Sequence, residues 1–119
     1  MTKGSFIADP KKFFDSLGGA HDAQIMGFMW NKKAKELSIE LDDLNSNFLG
    51  LPEYKGERPI NINFTGVLSL DMDAQILGDQ LNVYDITVDI EKSRYHFEIR
   101  CSPGGFFKGQ CEQIAILDC

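Results

Sequence analysis

From Tyr84 to Cys101, apolar side chains occupy every second position on either side of one charged stretch, Glu91-Lys92-Ser93-Arg94. A two-residue rhythm belongs to a strand with one covered face, and two such runs in succession predict a hairpin. Closing it around Lys92-Ser93 sets Ile90 opposite Tyr95, Val88 opposite Phe97 and Ile86 opposite Ile99, with Tyr84 and Cys101 completing the two apolar faces. On the other face the same register sets Asp89 against His96, Asp85 against Arg100 and Thr87 beside Glu98, so opposite charges meet across the strands. A slip of one residue would drive those charges into the core. Lys-Ser is a weak two-residue turn, and a four-residue loop would keep the register. Leu81 and Val83 are out of phase with Tyr84 and Ile86, which predicts a β-bulge near Val83.

Leu37 to Asp42 alternates in the same way, as does Ile60 to Thr65, whose rhythm continues through Leu68 and Leu70. Each predicts an antiparallel strand with one wet face. Ala23 to Trp30 is apolar on both faces and predicts a strand covered on both sides. A last strand is expected from about Gln113 to Leu117. The one helical signal is Asp9-Pro10, an N-cap followed by a first-turn proline, leading into Phe13, Phe14 and Leu17 and stopping at Gly18. Two turns do not persist alone, so this helix must dock on something larger. The expected fold is a single α+β domain, residues 1–119: a short N-terminal helix packed on about six mostly antiparallel strands, as a curved sheet, sandwich or partly open barrel. The alternative is a helix covering one face of an open meander.

With 119 residues, folding hides roughly two-thirds of the surface of the unfolded chain, enough for one core. Twelve basic against eighteen acidic residues give a net charge of -6, with no basic cluster, which disfavours nucleic acid and would steer in a basic protein. The amino terminus has no apolar stretch of signal-peptide length and no run of about eighteen apolar residues occurs, so no membrane span and a cytoplasmic location are expected. Cys101, Cys111 and Cys119 fit no paired zinc pattern and read as reduced thiols. If the strands flanking their loop pair, Cys101 and Cys111 would come close enough to bridge under oxidation.

His21-Asp22 follows two glycines and could hold a metal or serve a hydrolase. Neighbours in a strand point to opposite faces, however, and His96 is the only other histidine, so a polar lip that hydrogen-bonds nearby backbone is the favoured reading. Asp43 to Asn47 matches the first half of a calcium loop, but Phe48 replaces the turning glycine and Tyr54 the bidentate glutamate. No metal or cofactor is expected. Asp89 and His96 lie on a solvated face with no pocket implied.

Two loops stand out. Phe48, Leu49, Leu51 and Tyr54 lie in a long stretch that runs to Pro59, where they either fold back as a lid or form a contact surface. Ser102 to Gln110 holds Phe106 and Phe107 between glycine pairs, where adjacent rings at a tip suit an interface anchor. These six residues form the expected partner-binding set.

The opening "GGAHDAQIMGFMW" and the following "KELSIELD" resemble small bacterial immunity-type β-rich proteins over about the first third of the chain. That resemblance implies a protein that neutralises a toxin by binding it. The first expectation is therefore a non-enzymatic protein-binding module whose partner is another protein, such as a basic toxin, or a second copy of itself. The second is a small-molecule binder or hydrolase, with a cavity between helix and sheet lined by Trp30, Phe28 and Tyr84 and with His21 and Asp22 nearby.

Overall fold

The computed structural model of the protein describes residues 5–74 and 80–119. Among these described residues are one α-helix, α1 (Pro10–Ser16), and nine strands: β1 (Ser5–Phe6), β2 (Ile25–Asn31), β3 (Glu36–Leu41), β4 (Ile60–Thr65), β5 (Ser69–Ala74), β6 (Asn82–Glu91), β7 (Arg94–Ser102), β8 (Gly105–Cys111) and β9 (Gln113–Asp118). They form two open sheets, β1-β9-β4-β3-β2 and β5-β8-β7-β6, antiparallel at every described pairing. The class is α+β, but the strands divide between two sheets where about six had been expected.

The helix starts as its sequence dictates. Asp9 accepts the Lys12 amide at 3.1 Å, Pro10 occupies the first turn, and the chain leaves the helix through Gly18 at φ 64°. Phe14 is fully buried and meets Phe13 edge-on. At the middle of the shared core, Phe64 of β4 stacks on Phe97 of β7 at 4.2 Å between centroids, bridging the two sheets. Burying a side chain of this size contributes about 1.5–3 kcal/mol relative to leaving it exposed.

The hairpin of β6 and β7 has the register read from the sequence: Ile90 pairs with Tyr95, Val88 with Phe97, Ile86 with Ile99, Asp89 with His96 and Asp85 with Arg100. Its turn is the two-residue form, with Lys92 at φ 50° and Ser93 at φ 67°. The predicted bulge lies between Val83 and Asp85. A second bulge interrupts β2 between Ile25 and Gly27. Both mark a corner where the sheets join: Gln24 bridges Asn82, the Ile25 amide donates to Leu81 O at 2.8 Å, and the Asp22 amide donates to Val83 O at 2.9 Å. From that corner β2 passes Phe107 of β8, which the Phe28 ring meets at 5.2 Å, and ends at Trp30 in a cleft with Leu68 and Met72 beside β5. It therefore crosses the strands of the second sheet, as strands do in orthogonal packings cornered by bulges.

Four expectations are corrected. The segment 23–30 is not covered on both sides: β2 is the last strand of its sheet, and Met26, Phe28, Met29 and Trp30 are exposed. The alternation from Ile60 does not run on through Leu70, because Gly66 turns the chain at φ 63° and Ser69 begins a strand of the other sheet. Phe106 and Phe107 are not a loop tip but lie within β8, with Phe107 fully buried. At Gly109 of that strand a Cβ would collide with Ser69 O, so only glycine lets β5 and β8 approach this closely. Finally, the strands carrying Cys101 and Cys111 do pair, but Cys111 sits opposite Tyr95, six residues along β7 from Cys101, about 20 Å at strand rise. The two buried thiols are free.

Candidate protein-binding surface

The corner bulge organises the most distinctive surface of the protein. Val83 and Ile86 both point into the core, so the chain has one residue too many between them and Tyr84 is turned outward, 52% exposed. The sequence reading placed Tyr84 on the buried face with Ile86, and the bulge it predicted is what reverses that placement.

Tyr84 is held between two neighbours. The His21 ring lies edge-on to it at 5.5 Å, and the Arg100 guanidinium sits over its face at 5.2 Å. Arg100 is fixed by a two-point bond to Asp85, one arm of which is Nε to Oδ1 at 2.8 Å, and this bond raises the already high pKa of the guanidinium further. Across β7 and β8, Arg100 pairs with Phe106, whose half-buried ring has the Lys108 ammonium at 4.8 Å. His21 turns its Nδ1 to Tyr84 O at 2.6 Å, and its Nε2 lies 3.4 Å from Asp22 Oδ1. His21 thus bonds to nearby backbone, as expected of a polar lip, while the Asp22 carboxylate faces the His21 ring. Among the described residues no three His, Cys, Asp or Glu side chains are grouped to hold a metal ion.

On the far side of His21 the long loop begins. Ser46 Oγ donates to His21 O at 2.8 Å, tying the loop to the lip. Asp43 is its hub: Oδ1 accepts the amides of Asn45 at 2.9 Å and Arg58 at 3.1 Å, while Oδ2 accepts the Tyr54 hydroxyl at 2.7 Å. Tyr54 stands where a calcium loop would place its last ligand, and its phenol closes the loop directly onto the first carboxylate. That bond pushes the Tyr54 pKa up to about 12. Asn45 Nδ2 adds a bond to Gly56 O at 3.0 Å. The frame presents Leu49, 69% exposed, and Leu51, 50% exposed, while Phe48 and Tyr54 are half-buried. The loop is neither a lid nor a free linker: two of its four candidate side chains support it and two face water.

Five of the six expected contact residues therefore retain some exposure, and Phe107 is withdrawn by its burial. His21, Tyr84 and Arg100 link the loop to Phe106 in one chain of contacts, a link the sequence reading missed. The signal was present in the bulge, but which residue a bulge expels is decided by the corner.

The expected helix–sheet cavity does not form from its three named residues, since Tyr84 points outward and Trp30 lines the cleft by β5. A groove of about 410 Å³ does lie across the second sheet, where Asp89, His96, Glu98 and Lys108 contribute to its walls, correcting the expectation that no pocket attends Asp89 and His96. Asp89 there pairs with Lys11 at 3.5 Å and His96 approaches Glu91 at 3.6 Å. No protein-family model matches the chain, and no curated protein matches it in sequence.

Proposed function

We propose that this protein is a non-enzymatic binding module that captures another protein with the surface running from Leu49 and Leu51 through His21, Tyr84 and Arg100 to Phe106. The observation that carries this reading is the outward Tyr84, clamped between an imidazole and a guanidinium that Asp85 holds in place. Tyrosine and arginine are enriched among residues that dominate binding energies, and side chains already fixed lose little entropy on association. Net charge of -6 favours a basic partner. An immunity-type role, inhibition of a toxin, is the narrower form of this proposal and has only the resemblance of the opening segment behind it.

The test is site-specific photocrosslinking in the producing cell, with a photoreactive phenylalanine at Tyr84 or Leu51 and a control at the exposed Ile90 of β6. A single partner joined at the first two positions but not at Ile90 is expected. Tyr84→Ala should then weaken binding of that purified partner at least about tenfold while melting is nearly unchanged. Equal capture at all three positions, or undiminished affinity of Tyr84→Ala, refutes the proposal.

A second reading, a small-molecule binder, is favoured by the groove across β5 to β8, within the usual size range of ligand sites at about 410 Å³. A shift in melting temperature with a small amine or acid, abolished by Glu98→Gln, would support it.

A further inference from the structure

Beside the end of β2 the two sheets leave a cleft of about 610 Å³, separate from the proposed partner surface and reaching the groove across β5 to β8 only at β5 itself. Its apolar walls are Trp30 of β2, Leu68 at the entry to β5 and Met72 within β5, with the buried Val67 between the first two. Trp30, Leu68 and Met72 all remain partly in water. Apolar surface gathered in a concavity and rimmed by polar groups is the usual form of a small-ligand site.

The rim comes from the turn between β2 and β3, which brings Lys32 and Lys35 into the lining. This turn is anchored. Asn31 Oδ1 accepts the Ala34 amide at 3.0 Å, and Lys35, at φ 57°, turns its carbonyl oxygen to the Val67 amide at 2.9 Å, which ties the turn to the chain entering β5. The lysine backbones are therefore held at the cleft while their stems keep the freedom to reach into it. Lys33 is exposed on the same turn, so a chain of net charge -6 is locally positive here. Asp71 also lines the cleft, but in the ladder of β5 and β8 it stands opposite Lys108.

We propose that this cleft binds a small carboxylate with an apolar tail. The tail lies along Trp30, Leu68 and Met72, and the carboxylate meets the ammonium groups of Lys32 and Lys35. Each half of such a ligand answers one half of the lining. Leucine and methionine side chains around a single indole adapt to a flexible hydrocarbon, and a lysine ammonium is a compact charge on a flexible stem, suited to an oxygen anion at the rim. An amine with the same tail would face two like charges, and a neutral ligand would leave the rim unused. The volume is within the usual range of small-ligand sites.

Trp30 is the only tryptophan of the chain, so its emission reports on this cleft directly. The experiment is titration of the whole chain with octanoate, octanol and octylamine, which share a tail and differ in head group. Octanoate should move the emission to the blue and saturate with a midpoint of about 1 mM or below, as expected for a ligand of this size. Octylamine should require at least about tenfold more.

Lys32→Gln combined with Lys35→Asn removes both charges from exposed positions, and asparagine tolerates the left-handed backbone at the second. This double variant should weaken octanoate at least about tenfold while octanol binding and melting stay nearly unchanged. Met72→Ser should weaken octanoate and octanol together. An emission that octanoate does not change overturns the proposal. So does an equal response to octanoate and octylamine, or a folded double variant that binds octanoate as the native chain does. If the double variant fails to fold, the comparison of octanoate with octylamine on the native chain decides alone.

Discussion

His21 Nδ1 lies 2.6 Å from the carbonyl oxygen of Tyr84, the residue that the corner bulge pushes out of the ladder. A carbonyl can only accept, so Nδ1 carries the hydrogen, and the imidazole satisfies a group that a bulge leaves without a cross-strand partner. His21→Ala should therefore cost about 1 kcal/mol in denaturant unfolding. It should also speed amide exchange at Tyr84 and Asp85 while leaving Val88 and Ile99 protected. Uniform loss of protection across the hairpin would show that His21 supports the core, not the bulge.

Phe106 and Phe107 separate a surface role from a structural one within two residues. Phe107 is fully buried and meets Phe28 at 5.2 Å, whereas Phe106 lies under Lys108 with part of its ring in water. Phe107→Ala should lower stability by about 3–5 kcal/mol, the usual cost of emptying a core aromatic site. Phe106→Ala should change it by less than about 1 kcal/mol. Thermal and urea unfolding of the two variants, compared side by side, decide the assignment.

What the residue pattern reveals and what it conceals follow from the same physics. The β6–β7 register could be read because its outward residues, Asp85, Asp89, His96 and Arg100, punish any slip, and the Asp9-Pro10 cap because both residues act locally. The position of β2 could not be read. An apolar run has the same sequence whether it is central or at an edge, and only the corner with β6 decides that its far end emerges into solvent. β8 was concealed by Gly105 and Gly109, residues that normally signal a loop, although Phe107, Gly109 and Cys111 keep the inward alternation. The proposed binding surface was half visible: Leu49, Leu51 and Phe106 stood out by composition, while Tyr84 needed the bulge to be resolved residue by residue.

Asp43 should govern the loop that bears Leu49 and Leu51. It is the shared acceptor for two amides and a phenol, so Asp43→Ala leaves three donors to find other partners and should cost about 2–3 kcal/mol. Hydrogen exchange over residues 44–58 should rise well beyond that in β3 and β4. Tyr54→Phe, which removes one of the three bonds, should produce a smaller effect in the same segment. Equal protection in wild type and Asp43→Ala would remove the hub.

Thiol chemistry should divide three cysteines into two classes. Burial pushes Cys101 up to about 11 and Cys111 up to about 12 from an ordinary 9.0, while Cys119 is exposed. One thiol per native chain should react rapidly with a disulfide reagent near neutrality, and all three only after unfolding. The raised values mean the fold favours the neutral thiol. Their contribution is complete below about pH 9 and is lost as pH rises through 11 and towards 12, with Tyr54 adding to the loss above its ordinary 10.0. The urea midpoint should fall over that range, and less steeply in Cys111→Ala. A midpoint flat to pH 11 would contradict the burial of these thiols.

The Lys92-Ser93 turn offers the one gain in stability that the structure makes plain. Both residues sit at positive φ, 50° and 67°, in a two-residue hairpin turn whose strands stay in register from Glu91 and Arg94 as far as Asp85 and Arg100. Left-handed backbone costs a residue with a Cβ about 1–2 kcal/mol, much less for asparagine and almost nothing for glycine. Asn-Gly is the pair best suited to this turn, so Lys92→Asn combined with Ser93→Gly should raise stability by about 1–2 kcal/mol. Ser93→Gly alone should give only part of this, because the extra freedom of glycine in the unfolded chain offsets some of the relief. Neither residue belongs to the proposed partner surface, so the gain should appear in urea unfolding with partner affinity unchanged. A loss of stability in the double variant would mean the hairpin closes through a wider loop in solution.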